Sequence, residues 1–224
     1  MLHEIRTPED LKALVSDFGF LPFFSTEIAG FSIDDLTPIE VWDEYLGLGP
    51  WLWRDEIAKD KTCIYGKFFG KKTGYVSAEW FPHLANYRRD GYDFDARRDE
   101  GLVRNDDAHI YEIIERYGPI TAPELRRRAM VDPKRASGFE AALTRLQMTT
   151  YVVPTDFIFP RDAFGEKKYS YGTTVYDLPE RWLGEKSCTA QYHAEPRESF
   201  GHMAAHLAKK LPNADRKDIE KLLK

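Results

Sequence analysis

Apolar residues recur at helical spacing in the first part of the chain. The clearest stripe lies between Thr7, which can cap a helix, and Gly19, which can end it; it comprises Leu11, Leu14, Val15 and Phe18. A capping box that begins at Thr37 and the proline at position 50 predict two further short helices. This part of the chain is therefore predicted to be mainly helical.

One β-hairpin is expected to interrupt this helical pattern. Residues 62–68 are rich in β-forming side chains, a loop bounded by glycines follows at 70–74, and Tyr75 resumes a strand. Ser77 can cap a helix that runs to about Arg89. Residues 90–104 carry many charges without apolar periodicity, which predicts an irregular, solvated connection.

The pattern after this connection has a specific order. The predicted elements are a helix from Asn105 or Asp106 to about 117, a short strand at Ile120, a helix from Thr121 to about Ala129, a helix opened by a capping box at Ser137, and strands at 149–153 and 169–176. Phe139, Leu143 and Leu146 give the third helix its apolar face. Helix, strand, helix, helix and hairpin is the order of a winged helix-turn-helix.

The C-terminal stretch from Phe200 predicts two helices, separated at Pro212-Asn213, that pack back on the core. Together these patterns predict an α+β, mainly helical protein with a winged helix-turn-helix in its C-terminal half. That half is expected to pack on a helical N-terminal half with one β-hairpin. The expected domains are a helical region with a hairpin (1–104), a winged helix (105–183) and a helical tail (184–224).

Charge is unevenly distributed along the 224 residues. The net charge is −5, but residues 1–53 contain ten acidic and two basic side chains, whereas residues 126–168 contain nine basic and five acidic ones. A local excess of positive charge therefore lies in the region where a winged helix would hold nucleic acid, and the C-terminal stretch 200–224 carries another, with six basic and three acidic side chains. The negative total argues against a strong nonspecific DNA binder.

Three further features concern the compartment. No uncharged apolar stretch is long enough to span a membrane, and the N-terminus lacks the basic and apolar segments of a signal peptide. The two cysteines, Cys63 and Cys188, are far apart in sequence and fit reduced thiols. A cytoplasmic protein without membrane contact is therefore expected.

The winged helix predicts specific contacts with double-stranded DNA, because its third helix enters the major groove with its exposed side chains. Here these are predicted to be Thr144, Arg145 and Gln147, with Arg145 suited to guanine and Gln147 to adenine. Phosphates could be reached from the wing by Arg161, Lys167 and Lys168. The same role is open, beside the turn, to Arg126, Arg127, Arg128, Lys134 and Arg135.

The alternative to DNA is a winged helix that contacts a protein partner or a second copy of the chain. The third helix supplies only one cation, Arg145, and Glu140 opposes it. The aromatic residues of the N-terminal half are best explained as core, with a platform that stacks on bases as the other interpretation.

Two other groups of residues give weaker indications of a metal site or a catalytic site. His202 and His206 lie one helical turn apart, which suits zinc, but no glutamate follows the first histidine and half-buried or surface histidines are favoured. Cys188 and His193 could pair as nucleophile and base, although nothing orients them. No metal site and no cofactor is predicted.

Several stretches of the sequence resemble a known family. Gly118–Leu125, the helix ending at Leu146, and Val175–Leu183 with its tyrosine-aspartate-leucine-x-glutamate-arginine motif resemble the AlkZ-type winged-helix DNA glycosylases. Trp51–Arg54 and Tyr65–Phe69 resemble a smaller group labelled AlkZ-related. The resemblance covers most of the chain and implies a compact, helical protein with a wing that associates with DNA.

The chain departs from this family at the catalytic motif. AlkZ-type enzymes carry a Gln-x-Gln or Gln-x-Asp pair that handles water at the glycosidic carbon, but the only glutamines here, Gln147 and Gln191, have neither residue two positions on. No catalytic residue carries over. The sequence thus favours a nucleic-acid-binding protein related to DNA repair glycosylases but without glycosylase activity. An active glycosylase or hydrolase on damaged bases and a winged-helix protein-interaction module are the alternatives.

Overall fold

The computed structural model describes residues 3–42, 49–132, 134, 138–168 and 170–224. Its first helices are α1 (Pro8–Phe18), α2 (Ile33–Leu36), a 3-10 turn (Ile39–Trp42), α3 (Arg54–Lys59), α4 (Phe81–Arg89) and α5 (Phe94–Asp99). Its first strands are β1 (Phe20–Pro22), β2 (Cys63–Phe69) and β3 (Lys72–Ser77). The predicted first helix is confirmed: Thr7 and Asp10 form a capping box, and the four apolar residues of the stripe are buried.

The first three strands form an antiparallel sheet in the order β1-β3-β2. The hairpin of β2 and β3 is confirmed, and β1 adds a third strand that was not predicted because three residues are too few for a periodic pattern. The prediction that Ser77 caps the next helix is wrong, since Ser77 ends β3 and α4 begins at Phe81. The expected irregular connection contains α5, which Asp93 caps by accepting a bond of 2.7 Å from the Ala96 N–H.

The next elements follow in the predicted order. They are α6 (Asn105–Tyr117), β4 (Ile120–Thr121), α7 (Ala122–Ala129), α8 (Phe139–Met148), β5 (Val153–Ile158) and β6 (Thr173–Asp177). The strands form a second antiparallel sheet in the order β4-β6-β5. Thr121 makes no side-chain capping bond, and Ser137 lies outside the described residues. β5 starts later than predicted because Thr150 takes a positive φ of 60° in a turn.

The chain ends in α9 (Pro179–Leu183), α10 (Glu185–Thr189), α11 (Pro196–Lys210) and α12 (Arg216–Leu223). The two predicted C-terminal helices are confirmed as α11 and α12. They pack back on the N-terminal half as expected, because Met203, Leu207 and the apolar side of α12 are buried in the same core as β1–β3. No described helix has both the length and the apolar character needed to cross a lipid bilayer.

Two hydrophobic cores organise the molecule. One extends from Ile5 to Leu223 and includes Val153, Phe157 and Phe159, which lie in or next to β5. The other, between Phe94 and Leu178, lies among α6, α7 and α8. The β5–β6 hairpin, which is the predicted wing and is called the wing below, is therefore attached along β5 to the N-terminal half. This attachment determines which side of the wing is exposed.

Candidate nucleic-acid interface

Helix α8, the predicted groove-reading helix, packs against β2 of the N-terminal half. The Thr144 hydroxyl accepts a hydrogen bond of 2.9 Å from Lys67 Nζ on β2, so this side chain is half-buried and already has a cationic partner. Among the described residues of α8, Glu140 and Ala141 are the exposed ones. The helix therefore presents little of the surface that was predicted for it.

Arg145 is held by two carboxylates at the start of α6. Its Nη2 donates to Asp107 at 2.6 Å and to Asp106 at 2.8 Å, and its Nε donates to both oxygens of Asp107. The hydrogen bond to Asp107 is the main cause that raises the pKa of Arg145 above its ordinary value, while burial raises the pKa of Asp107. A guanidinium engaged in this way has few donors left for a guanine.

The prediction that Gln147 is exposed is wrong. Its side chain is only 2% exposed, and its Nε2 lies 3.4 Å from the Leu143 carbonyl one turn earlier. The reason is that α8 has two covered sides, one against α6 and one against β2. The sequence pattern identified only the first of these sides.

The cations beside the turn are exposed, except for the half-buried Arg128, but they are largely paired with acids on the same surface. Arg127 donates two bonds to Glu124, at 2.6 and 2.8 Å, and Arg128 contacts the same carboxylate. Arg126 pairs with Glu140 and lies over the Phe139 ring. Lys134 is exposed, and Arg135 lies outside the described residues.

The wing tip, residues 159–168 and 170–172, contacts the N-terminal half through Phe159, Lys167 and the Tyr171 carbonyl, and its opposite side is exposed. Asp162 accepts bonds from the N–H groups of Phe164 and Glu166, each of 2.9 Å, which forms a tight turn with Phe164 at its end. Phe164 is 91% exposed and Tyr171 75% exposed. The cations Arg161 and Lys168 are exposed on the same tip.

The third predicted wing cation has a structural role. Lys167 Nζ donates to Asp55 at 2.5 Å and to the Leu52 carbonyl at 2.9 Å, both on the N-terminal half. The side chain therefore points back to α3 and away from the tip, and the prediction that it reaches outward from the wing is wrong.

Arg54, which was not predicted to be a functional residue, fixes the wing against the N-terminal half. Its guanidinium lies 4.5 Å from the Trp51 ring centre and 4.4 Å from that of Phe157 on β5. It also donates to the carbonyl oxygens of Trp51 and Tyr171, at 2.8 and 2.7 Å. The tryptophans that flank this arginine in sequence are a signal for such a stacked cation.

The motif at 176–181 makes structural contacts through Arg181 and Glu180. Arg181 donates to Asp177 at 2.8 Å and to the Gly118 carbonyl at 2.7 Å, which satisfies the end of α6. Glu180 accepts from Arg89, a residue of α4 that is 1% exposed. Arg89 was also missed, because nothing near it in sequence indicates a partner so far along the chain.

Histidines from α4 and α11 meet on the side of the N-terminal half. His206 lies 4.4 Å from the Trp80 ring and His202 lies 5.7 Å from His83, measured between ring centres. In the part of the chain that the structure describes, no group of three or more metal-ligating side chains has the arrangement of a metal site. Cys63 and Cys188 are both buried with free thiols, and burial raises the pKa of Cys63 to about 11 and that of Cys188 to about 12.

The fold is that of the AlkZ class. The structure of Streptomyces sahachiroi DNA glycosylase AlkZ matches with a TM-score of 0.50 and 11% identity, over 92% of this chain and 52% of that chain. The chain thus spans about half the length of that glycosylase, and an identity this low establishes the fold alone.

The family assignment is firmer. A family model described as AlkZ related matches residues 5–224, and the chain belongs to this AlkZ-related family. The resemblance found in the sequence is thereby confirmed. No curated protein matches the chain.

Proposed function

We propose that this protein binds double-stranded DNA through its wing tip and has no glycosylase activity on it. In this proposal residues 105–183 form a winged helix-turn-helix, with α6, α7 and α8 as its helices and β5–β6 as its wing. The wing, rather than α8, makes the DNA contact. The observation that carries the proposal is the pair of exposed cations, Arg161 and Lys168, beside the exposed ring of Phe164.

The chemistry of the wing tip suits a DNA groove. Arginine and lysine contact phosphates, while an apolar side chain can wedge between base steps in the minor groove. Arg54 and the Lys167–Asp55 ion pair hold one side of the tip against the N-terminal half, so the exposed side is presented in a fixed position. A pre-positioned tip loses less conformational entropy on binding than a free loop.

The absence of cleavage is supported by the positions of the glutamines. Gln147, on α8, is buried, and its amide nitrogen lies 3.4 Å from the Leu143 carbonyl. Gln191 lies beside Tyr192 after α10, and neither residue has a Gln or Asp partner two positions on. Neither glutamine is therefore suited to positioning water at a glycosidic bond.

The test is duplex binding by fluorescence anisotropy over a series of salt concentrations. The double variant Arg161→Gln/Lys168→Gln should weaken binding by about tenfold at low salt and reduce the salt slope by about 0.9 for each phosphate that is no longer neutralised. Phe164→Ala should weaken binding with little change in slope, because a wedge contributes no counterion release. Arg145→Gln should leave the affinity nearly unchanged.

The matched control removes two cations from a remote helix. Arg216→Gln/Lys217→Gln, on the exposed side of α12, gives the same change in net charge. If this control weakens binding as much as the wing variant, only net charge matters and the wing proposal is wrong. Absence of salt-dependent binding by the unmodified protein would also overturn it.

A protein-binding wing is the second candidate, favoured by one observation. Ile158, Phe164 and Tyr171 are all large apolar residues that are at least half exposed on the same hairpin. Exposed apolar residues grouped on one surface are typical of protein interfaces. Absence of DNA binding, together with self-association that Phe164→Ala abolishes in analytical ultracentrifugation, would favour this function.

A further inference from the structure

A groove separate from the wing lies between α5 and the end of α8. Its volume is about 280 Å³, near the lower end for small-ligand pockets. The apolar wall consists of Phe94, Leu102, Val103, Leu146, Met148 and Tyr151. Leu102 is 55% exposed and Met148 half-buried, so a ligand would remove apolar surface from water.

Arginines dominate the polar edge of this groove. Arg97, Arg104 and Arg145 line it together with a single acid, Asp107. Arg104 is exposed. Arg97 donates a bond of 3.0 Å to the Arg89 carbonyl and another to the Tyr151 hydroxyl, which leaves the rest of its five N–H donors available. The groove therefore joins an apolar wall to an edge with an excess of positive charge.

The one acid does not cancel this excess. Arg145 donates to Asp107 at 2.6 to 3.1 Å and to Asp106 at 2.8 Å, so these three side chains together carry one net negative charge, and Arg97 with Arg104 leave the edge with one net positive charge. The cations left for a ligand are Arg97 and Arg104. Burial raises the pKa of Asp107, which is a common property of groups in binding clefts.

We propose that this α5–α8 groove binds a small amphipathic anion, an apolar body that carries one carboxylate or phosphate group. The apolar body would lie against Leu102, Val103 and Met148, and the anionic group would lie between Arg97 and Arg104. This inference goes beyond DNA binding by the wing and does not depend on it. Its test contains no DNA, so the two proposals fail independently.

The probe is 2-naphthyl phosphate, titrated into the full chain with carbon-13 methyl-labelled methionine and followed by NMR. The chain has four methionines, and three of them report on different places: Met148 on the groove, Met130 on the exposed end of α7, and Met203 on the buried side of α11. Met148→Leu assigns the groove signal. We expect the Met148 signal to shift saturably while those of Met130 and Met203 stay in place.

Charge selectivity is the second part of the test. The neutral analogue 2-naphthol should bind about tenfold more weakly, since it lacks the charged hydrogen bonds. Arg104→Gln should weaken 2-naphthyl phosphate by about fivefold, the effect of one exposed ionic contact. Arg216→Gln is the matched control, because it removes an exposed arginine outside the groove and should leave the affinity unchanged. Octyl phosphate distinguishes an aliphatic from an aromatic body, and tighter binding of either identifies the body preferred.

Several outcomes would overturn the proposal. Equal shifts at the exposed Met130 would mean nonspecific adsorption of the probe. No shift at Met148 at millimolar probe would mean that the groove does not bind this class. Equal affinity for the phosphate and 2-naphthol, or an unchanged affinity in Arg104→Gln, would remove the role of the arginine edge. Because Arg104 is exposed, its substitution should not disturb folding.

Discussion

Arg89 of α4 donates a hydrogen bond of 2.5 Å to Glu180, a residue 91 positions further along the chain. The same guanidinium donates to the Tyr192 hydroxyl at 3.0 Å and to the Thr150 carbonyl at 2.6 Å. Burial acts to lower the pKa of Arg89, but the Glu180 charge and the Tyr192 hydroxyl outweigh it and the pKa lies above its ordinary value. One buried cation thus joins the N-terminal half, the turn after α8 and the segment after the wing.

Removing the acid of this pair should destabilise the whole protein. Glu180→Ala leaves the Arg89 charge buried without its counter-charge, and we expect a loss of about 3 kcal/mol in the free energy of unfolding. Urea denaturation followed by tryptophan fluorescence measures it. Glu185→Ala, an exposed acid on the next helix, is the control and should change stability by about 0.5 kcal/mol at most. Equal effects in the two variants would contradict a special role for the pair.

The attachment of the wing to the N-terminal half should depend on Arg54. Arg54→Met keeps the apolar stem between Trp51 and Phe157 but leaves the Tyr171 carbonyl without its donor, at a cost of about 1–3 kcal/mol. We expect amide hydrogen exchange in β5 and β6 to speed up more than exchange in β2 and β3. Arg161→Met, at the exposed tip, serves for comparison and should leave strand exchange unchanged. Uniformly faster exchange in both sheets would instead indicate global destabilisation.

The histidine contact between α4 and α11 predicts a pH dependence. Burial, followed by the nearby His202 and His193, lowers the pKa of His83 below its ordinary value of 6.5, while Glu79 acts in the opposite direction. His83 Nδ1 is buried without a hydrogen-bond partner. Below pH 6.5 the unfolded chain takes up this proton more readily than the folded one, so stability is present above that pH and is lost as the pH falls.

The measurement compares the free energy of unfolding between pH 7 and pH 5. A single histidine contributes at most about 1.4 kcal/mol per pH unit. His83→Gln should reduce the slope, whereas His3→Gln, which changes an exposed histidine, should not. An unchanged slope in His83→Gln would show that other groups cause any loss of stability in acid.

Local elements were predictable because their signals lie within a few residues. Thr7 and Asp10 form their capping box, and Met203 with Leu207 gives the buried side of α11, as the spacing indicates. Both depend only on neighbours along one helix. The order of α6, β4, α7, α8 and the hairpin could be predicted for the same reason.

The partners of polar side chains could not be predicted in this way. Arg145 was expected to face DNA, but its carboxylate partner Asp107 comes from a helix 38 residues earlier. Lys167 pairs with Asp55 across 112 residues, and Gln147 is 2% exposed on a helix that also contacts β2 from the other half of the chain. Such pairings depend on tertiary packing, which helical and strand periodicities do not predict. The proposed contact surface is therefore the wing tip and not α8, the helix that was predicted from the sequence.

The hydrogen bond between Lys67 and Thr144 holds β2 of the N-terminal sheet on a side of α8 that a binding partner would otherwise contact. Any partner that needs the covered side of α8 must first separate it from β2. The observed affinity is therefore the intrinsic affinity multiplied by the fraction of molecules in which α8 is already separated. Under the proposed function, the exposed side of the wing tip reaches DNA without this separation. Access to the covered side of α8 is instead set by the equilibrium in which α8 leaves β2.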